Sequence, residues 1–153
     1  MNVDNLVKII PKIENNKLLI YFHAENIDVT DLRLVKFLDD CSKLFSDLYN
    51  DQIKEFYFIF NIDDLKIPTN FSLFKDFADF FISHEDLLME KLKFTIVQCK
   101  NNIFKLFFSL FKKYYVPVKP LYLCSNVEET QECISNEESR HKFPNICNLL
   151  EKN

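Results

Sequence analysis

None of the 153 residues is glycine. A Walker A loop, a dinucleotide-binding fingerprint and a nucleophile elbow all need glycine, where backbone turns tightly or approaches phosphate. All three are therefore excluded. The wealth of Lys, Asn, Ile and Phe points to an AT-rich coding sequence as the source of the deficit, and the exclusion holds whatever its cause. Also missing is any apolar run near the ~20 residues that span a bilayer. The N-terminus, MNVDNLVKII, has no basic start, long apolar run or small-residue cleavage site of the signal-peptide kind. At 48% hydrophobic and 27% charged, the composition is that of a soluble globular protein, and the chain reads as cytoplasmic. A formal net charge of −4 argues against a general binder of phosphate backbones, so nucleic acid is not an expected partner.

Close-paired cysteines are absent as well. Cys41, Cys99, Cys124, Cys133 and Cys147 are odd in number and widely spaced, and the first two sit in apolar-periodic stretches, where a free thiol behaves as a small hydrophobe. A metal site drawn from Cys124, Cys133, His141 and Cys147 lacks the CxxC spacing of structural zinc, so no metal and no cofactor is expected. His23, His84 and His141 are scattered, His23 at the end of a strand and His84 in SHED, a segment that reads as surface. Asp63 and Asp64 are adjacent and can hardly aim both carboxylates at one substrate, so they read as a turn. Nothing here assembles a catalytic set, and no enzymatic activity is expected.

What is present is a strong alternation of elements. LVKIIPKI (6–13) and KLLIYFH (17–23) read as strands turning through Glu14, Asn15 and Asn16, and Pro11 marks the first as an edge. Thr30 or Asp31 caps a helix in which Leu34, Phe37/Leu38, Cys41, Leu44/Phe45 and Leu48 recur. EFYFIFNI (55–62) is apolar throughout, as in a strand covered on both faces. After Pro68, Thr69 or Asn70 caps a second helix carrying Leu73, Phe74, Phe77 and Phe80/Phe81. KFTIVQC (93–99) is a strand, NNIFKLFFSLFKKYY (101–115) a third helix, and PLYLC (120–124) the last strand. Ser125 or Asn126 then caps a helix beginning VEET. The order ββαβαβαβα predicts one α/β domain over 1–153, with a core of about 5–134 and a polar tail or short helix over 135–153. Its sheet should be single, five-stranded and mainly parallel, with an antiparallel edge strand and helices on both faces.

That order resembles the fold shared by STAS domains and CRAL-TRIO lipid-binding domains, over about residues 5 to 134. FYFIFNIDDLKIPTNFSLFKDF and EKLKFTIVQCKNNIFKLFFSLFKKYYVPVKPLYLCSNVEE are similar to segments of the divergent, BCH-like branch of CRAL-TRIO. That resemblance implies a domain that binds a lipid or other apolar ligand, working at a membrane surface, with Phe74, Phe77, Phe104, Phe107, Phe108 and Phe111 as candidate ligand contacts. On the third helix Lys105, Ser109, Lys112 and Lys113 share one face, and the apolar arc exceeds the ~100° needed to sit on a sheet. Either the helix is wedged between neighbours with solvated lysines, or Phe107, Phe108 or Phe111 faces a cleft or membrane with Lys105, Lys112 and Lys113 at anionic headgroups. The STAS resemblance implies instead a module that binds a protein partner. STAS regulators often carry a phosphorylatable Ser or Thr at the start of the second helix. IPTNFS offers Thr69 and Ser72 there without the preceding Asp, and a helix cap is the other role for Thr69.

The cysteine spacing makes one direct prediction. Purified protein should melt at the same temperature with and without reducing agent, and a drop of several degrees on reduction would reveal a structural disulfide.

Overall fold

A computed structural model describes residues 5–25, 28–63, 72–100 and 113–143. Without glycine, the chain makes its tightest turn from asparagine. Strands β1 (Val7–Glu14) and β2 (Lys17–Ala24) are joined by Asn15 and Asn16, whose φ angles are 51° and 65°. A type I′ turn needs positive φ at both central residues, which asparagine tolerates better than other residues with a side chain. Glu14 opposite Lys17 closes the hairpin, and from there hydrogen-bonded and non-hydrogen-bonded pairs alternate. The carbonyl of Leu6 keeps this phase by accepting from Glu25 N at 2.9 Å. Pro11, opposite Ile20, therefore falls on a non-hydrogen-bonded pair, and the donor it lacks would have pointed outward.

The strands β1, β2, β3 (Phe56–Asn61), β4 (Leu92–Gln98) and β5 (Leu121–Cys124) lie in the sheet in chain order, all parallel from β2 onward. This is the architecture expected from the alternation of elements. Right-handed crossovers that always step the same way deliver their helices to one face. Accordingly α1 (Asp31–Leu48), α2 (Ser72–Ser83) and α3 (Glu85–Lys91) pack on one side, where Leu34, Phe37, Cys41, Phe45 and Leu48 of α1 meet Ile20, Phe22, Phe56 and Phe58 of the sheet. The last helix, α4 (Val127–Ser135), has no further strand to reach and covers the opposite face. There Cys133 and Ile134 meet Leu19, Tyr21, Tyr57, Ile59, Phe94 and Ile96.

Two features depart from the sequence reading. First, a helix that was not expected, α3, follows straight on α2 through SHED. That segment is at the surface as expected, with Ser83, Glu85 and Asp86 exposed and the half-buried ring of His84 5.0 Å from that of Phe45 and 4.8 Å from that of Phe80. Leu87 and Leu88 anchor α3, but two adjacent leucines in two turns display no period. Second, the pairing of β3 with β4 shifts between Phe56–Leu92 and Phe58–Thr95. This one-residue bulge turns Phe94 onto the α4 face while Leu92 stays on the other. The expected third helix lies outside the described residues as far as 112. Of the expected tail, a 3₁₀ turn, Ser139–Lys142, is described, and residues 144–153 are not.

The starts of α1 and α4 are closed locally. Thr30 Oγ1 accepts from Arg33 N at 3.3 Å, Asn126 Oδ1 from Glu129 N at 2.8 Å, and Glu129 Oε2 from Ser125 N at 2.9 Å. Helix ends lack the usual glycine at the left-handed C′ position, and Asn15 and Asn16 are the only described residues with positive φ. Short-range bonds, such as Asn50 N to Asp47 O at 3.1 Å and Ser135 Oγ to Gln131 O at 2.7 Å, cover some of the last carbonyls. Long cations reach others. Buried Lys91 Nζ donates to the carbonyls of Leu48 and Asn50 at 2.8 and 3.0 Å, closing α1. Lys17 Nζ reaches Ile134 O at 3.1 Å, and Arg140 bonds Cys133 O and Ile134 O at 2.9 and 3.3 Å, closing α4.

Lys91→Met keeps the apolar stem and removes both donors. It should cost about 2–3 kcal/mol in urea unfolding. Lys93→Met, which breaks only an exposed pair with Glu55, should stay within about 0.5 kcal/mol. Equal effects would mean that the cation closes nothing.

Candidate functional site

In a parallel sheet, ligands usually meet the carboxyl ends of the strands. Among the described residues, several polar groups at those ends bond one another. Asp63 Oδ1 accepts from Lys100 N at 2.7 Å, and Asn61 Oδ1 accepts from Asp63 N at 3.2 Å, which ties the exits of β3 and β4 together. The expected turn role for Asp63 fits this arrangement, while Asp64 lies outside the described residues. Gln98 Oε1 lies 2.9 Å from the hydroxyl of Thr130, which also stands 3.0 Å from Asn126 O and can give its one proton to either. His23 stacks on Tyr21 with ring centroids 5.8 Å apart. Among the described residues no three His, Cys, Asp or Glu side chains converge as metal ligands. Cys41 is fully buried, and desolvation, helped by the charge of Asp40, pushes its thiol well up.

A concave site does exist at the other edge, where α1 stands over β1. It is an open groove of about 370 Å³, floored by Val7, Ile9, Pro11 and Leu44 and flanked on α1 by Lys36, Asp40 and Lys43, with Asn5 and Lys8 completing its lining. The pleat explains the floor, because Val7, Ile9, Pro11 and Ile13 alternate onto one face of β1. Helix α1 covers the start of that row better than its end, and exposure climbs from 9% at Val7 to 79% at Ile13. The α1 side of the groove mixes two lysines with the carboxylate of Asp40. Lys36 donates to Asn5 Oδ1 and stands 3.4 Å from Asp40 Oδ2, and Lys43 pairs at 3.2 Å with exposed Asp39. Such solvated pairs are weak, so the ammonium groups remain free to exchange partners. The arrangement suits a ligand with an apolar body and an acidic end.

Of the residues singled out in the sequence, Phe77 is half-buried in α2, its ring 5.9 Å from Phe37 and 4.8 Å from Phe81. It bridges the main core to the smaller cluster of Ala78, Val97, Cys99 and Leu121. Lys113 is exposed in a turn. Thr69, Phe104, Lys105, Phe107, Phe108, Phe111 and Lys112 lie outside the described residues, as do the side chains of Ser72 and Phe74. The groove was not anticipated. The apolar alternation of β1 is visible in the sequence, but which helix stands beside it is not. No protein-family model, curated protein or solved structure matches the chain.

Phe77→Ala should destabilise by about 3 kcal/mol, as truncation of a packed aromatic does. Ile13→Ser, at the exposed end of the row, should change stability by less than about 0.5 kcal/mol. A negligible effect at Phe77 would place its ring in an open cleft rather than in the packed core.

Proposed function

We propose that this domain is a cytoplasmic, non-enzymatic, CRAL-TRIO-like binding module for an amphiphile with an anionic head, a lipid or fatty acid, met at a membrane surface. The observation that carries the reading is the β1–α1 groove, which sets an apolar row beside Lys36 and Lys43. The hydrocarbon chain lies along Val7, Ile9, Pro11 and Ile13, and the lysines meet the acidic head in place of Asp39 and Asp40. The groove's volume falls at the small end of ligand sites, which suits one chain rather than an enclosed lipid. Ile13, beside the Asn15–Asn16 turn, is placed to enter the interface between headgroups and acyl chains.

A STAS-like protein partner is the second reading, favoured by the outer edge of β1, which pairs with no strand among the described residues. Against it, Pro11 removes one outward donor, and exposed Lys8 and Lys12 flank the edge, the features that keep sheet edges from recruiting strands.

Co-sedimentation with vesicles of neutral phospholipid, and of the same lipid with added anionic phospholipid, decides between them. The protein should follow the anionic vesicles at low salt and leave them at high salt. Lys36→Gln and Lys43→Gln should each weaken binding about fivefold, the equivalent of ~1 kcal/mol per lysine near an acidic surface. Ile13→Asn should weaken it without lowering the melting temperature. A fluorescent fatty acid in solution tests for capture of single amphiphiles. Absence of binding to both vesicles and fatty acid would leave the protein-partner reading in front, and loss only in Lys105→Gln, Lys112→Gln and Lys113→Gln would move the site away from the groove.

A further inference from the structure

Among the described residues that line the β1–α1 groove, Asp40 supplies the only carboxylate. It stands between two cations. Lys36, Asp40 and Lys43 lie four and three residues apart on α1, so they share one side of the helix in the order plus, minus, plus. Lys36 Nζ is 3.4 Å from Asp40 Oδ2 and also donates to Asn5 Oδ1, and the side chains of the ion pair are 38% and 34% exposed. Both are therefore reachable from solvent and partly shielded from it. Lys43 pairs instead with Asp39, and those side chains are 75% and 65% exposed. A ligand acid that enters the groove thus has two lysines to meet and one carboxylate to face.

We propose, resting on the amphiphile reading of this groove, that it selects a phospholipid whose head carries an ammonium between two acidic groups, as phosphoserine does, with Asp40 reading the ammonium. A fatty-acid carboxylate that draws Lys36 away from Asp40 leaves two like charges side by side on a partly desolvated wall, which opposes binding. A phosphoserine head presents the complementary order, minus, plus, minus. Its phosphate meets one lysine, its carboxylate meets the other, and its ammonium replaces Lys36 at Asp40. No charge is then left facing its like. Lys36 and Lys43 stand about 10 Å apart along the helix axis, being seven residues apart at ~1.5 Å each. Their flexible four-carbon stems close that spacing down to the size of one head. A phosphoglycerol head has the same net charge, but hydroxyls where phosphoserine has its ammonium and carboxylate. It offers Asp40 no cation, and only a weaker hydrogen bond.

The test is co-sedimentation of the full-length chain with phosphocholine vesicles that carry equal fractions of either phosphoserine or phosphoglycerol lipid. Physiological salt is used, which screens diffuse surface attraction beyond about 8 Å. Wild type should bind the phosphoserine vesicles about fivefold more tightly, the worth of one further charge contact at such a surface. Asp40→Asn keeps the shape of the side chain and removes its charge. It should weaken binding to phosphoserine and strengthen binding to phosphoglycerol, which erases the preference. A groove that reads only net charge predicts the opposite for phosphoserine, because loss of a carboxylate makes the wall more basic. The wild-type comparison needs no variant to fold, and phosphoglycerol binding by Asp40→Asn reports that the variant does. Equal binding of the wild type to both vesicles would overturn the head assignment and leave the amphiphile reading standing. So would stronger binding of Asp40→Asn to both. No binding to either vesicle or to a fatty acid would remove the amphiphile reading itself, and the head assignment with it.

Discussion

A helix exposes carbonyls at its end, and in this chain no glycine is present to turn the backbone back and cover them. The rest of the structure depends on how that deficit is met. A glycine cap is local and can form before the fold does. Lys91 reaches α1 across 43 residues of chain, and Lys17 reaches the end of α4 across 117. The carbonyls covered by these two lysines are therefore satisfied only when hairpin, sheet and helices are already in place. Each cation also welds elements, Lys91 tying the α3–β4 junction to α1, and Lys17 tying the opening hairpin to α4.

The two faces of the sheet are chemically different. On the crossover side, rings meet rings. Phe22 stacks on Phe60 at 4.3 Å and meets Phe58 edge-on at 5.3 Å, while Phe45 contacts Phe58, Phe80 and Phe81. On the α4 side, apolar packing is mixed with polar tips. Burial pushes Tyr21 up against an opposing hydrogen bond from Gln131, Lys17 lies 5.7 Å over Tyr57, and the Gln98–Thr130 bond is buried. The buried polar tips therefore collect under α4. The groove opens where the phenylalanine face runs out, at the edge strand that α1 covers incompletely.

The strand and helix segments were legible in the sequence because each carries its own periodicity. Alternation and Pro11 mark β1 as an edge, the unbroken EFYFIFNI run marks a strand covered on both sides, and Thr30 and Asn126 mark helix starts through their own side chains. The exclusion of glycine-dependent phosphate sites was equally legible. These are local properties, decided by residue type and spacing within a turn or a strand. What only the tertiary structure decided is everything that depends on register and on which elements become neighbours. The bulge in β4 sends Phe94 to the α4 face against its own alternation with Leu92, because pairing with β3 overrides the period within the strand. The groove needs Lys36 and Lys43 of α1 beside Val7 and Ile9 of β1, and the Gln98–Thr130 bond needs the end of β4 beneath α4. No spacing along the chain encodes those meetings, since each is fixed by the direction in which successive crossovers step.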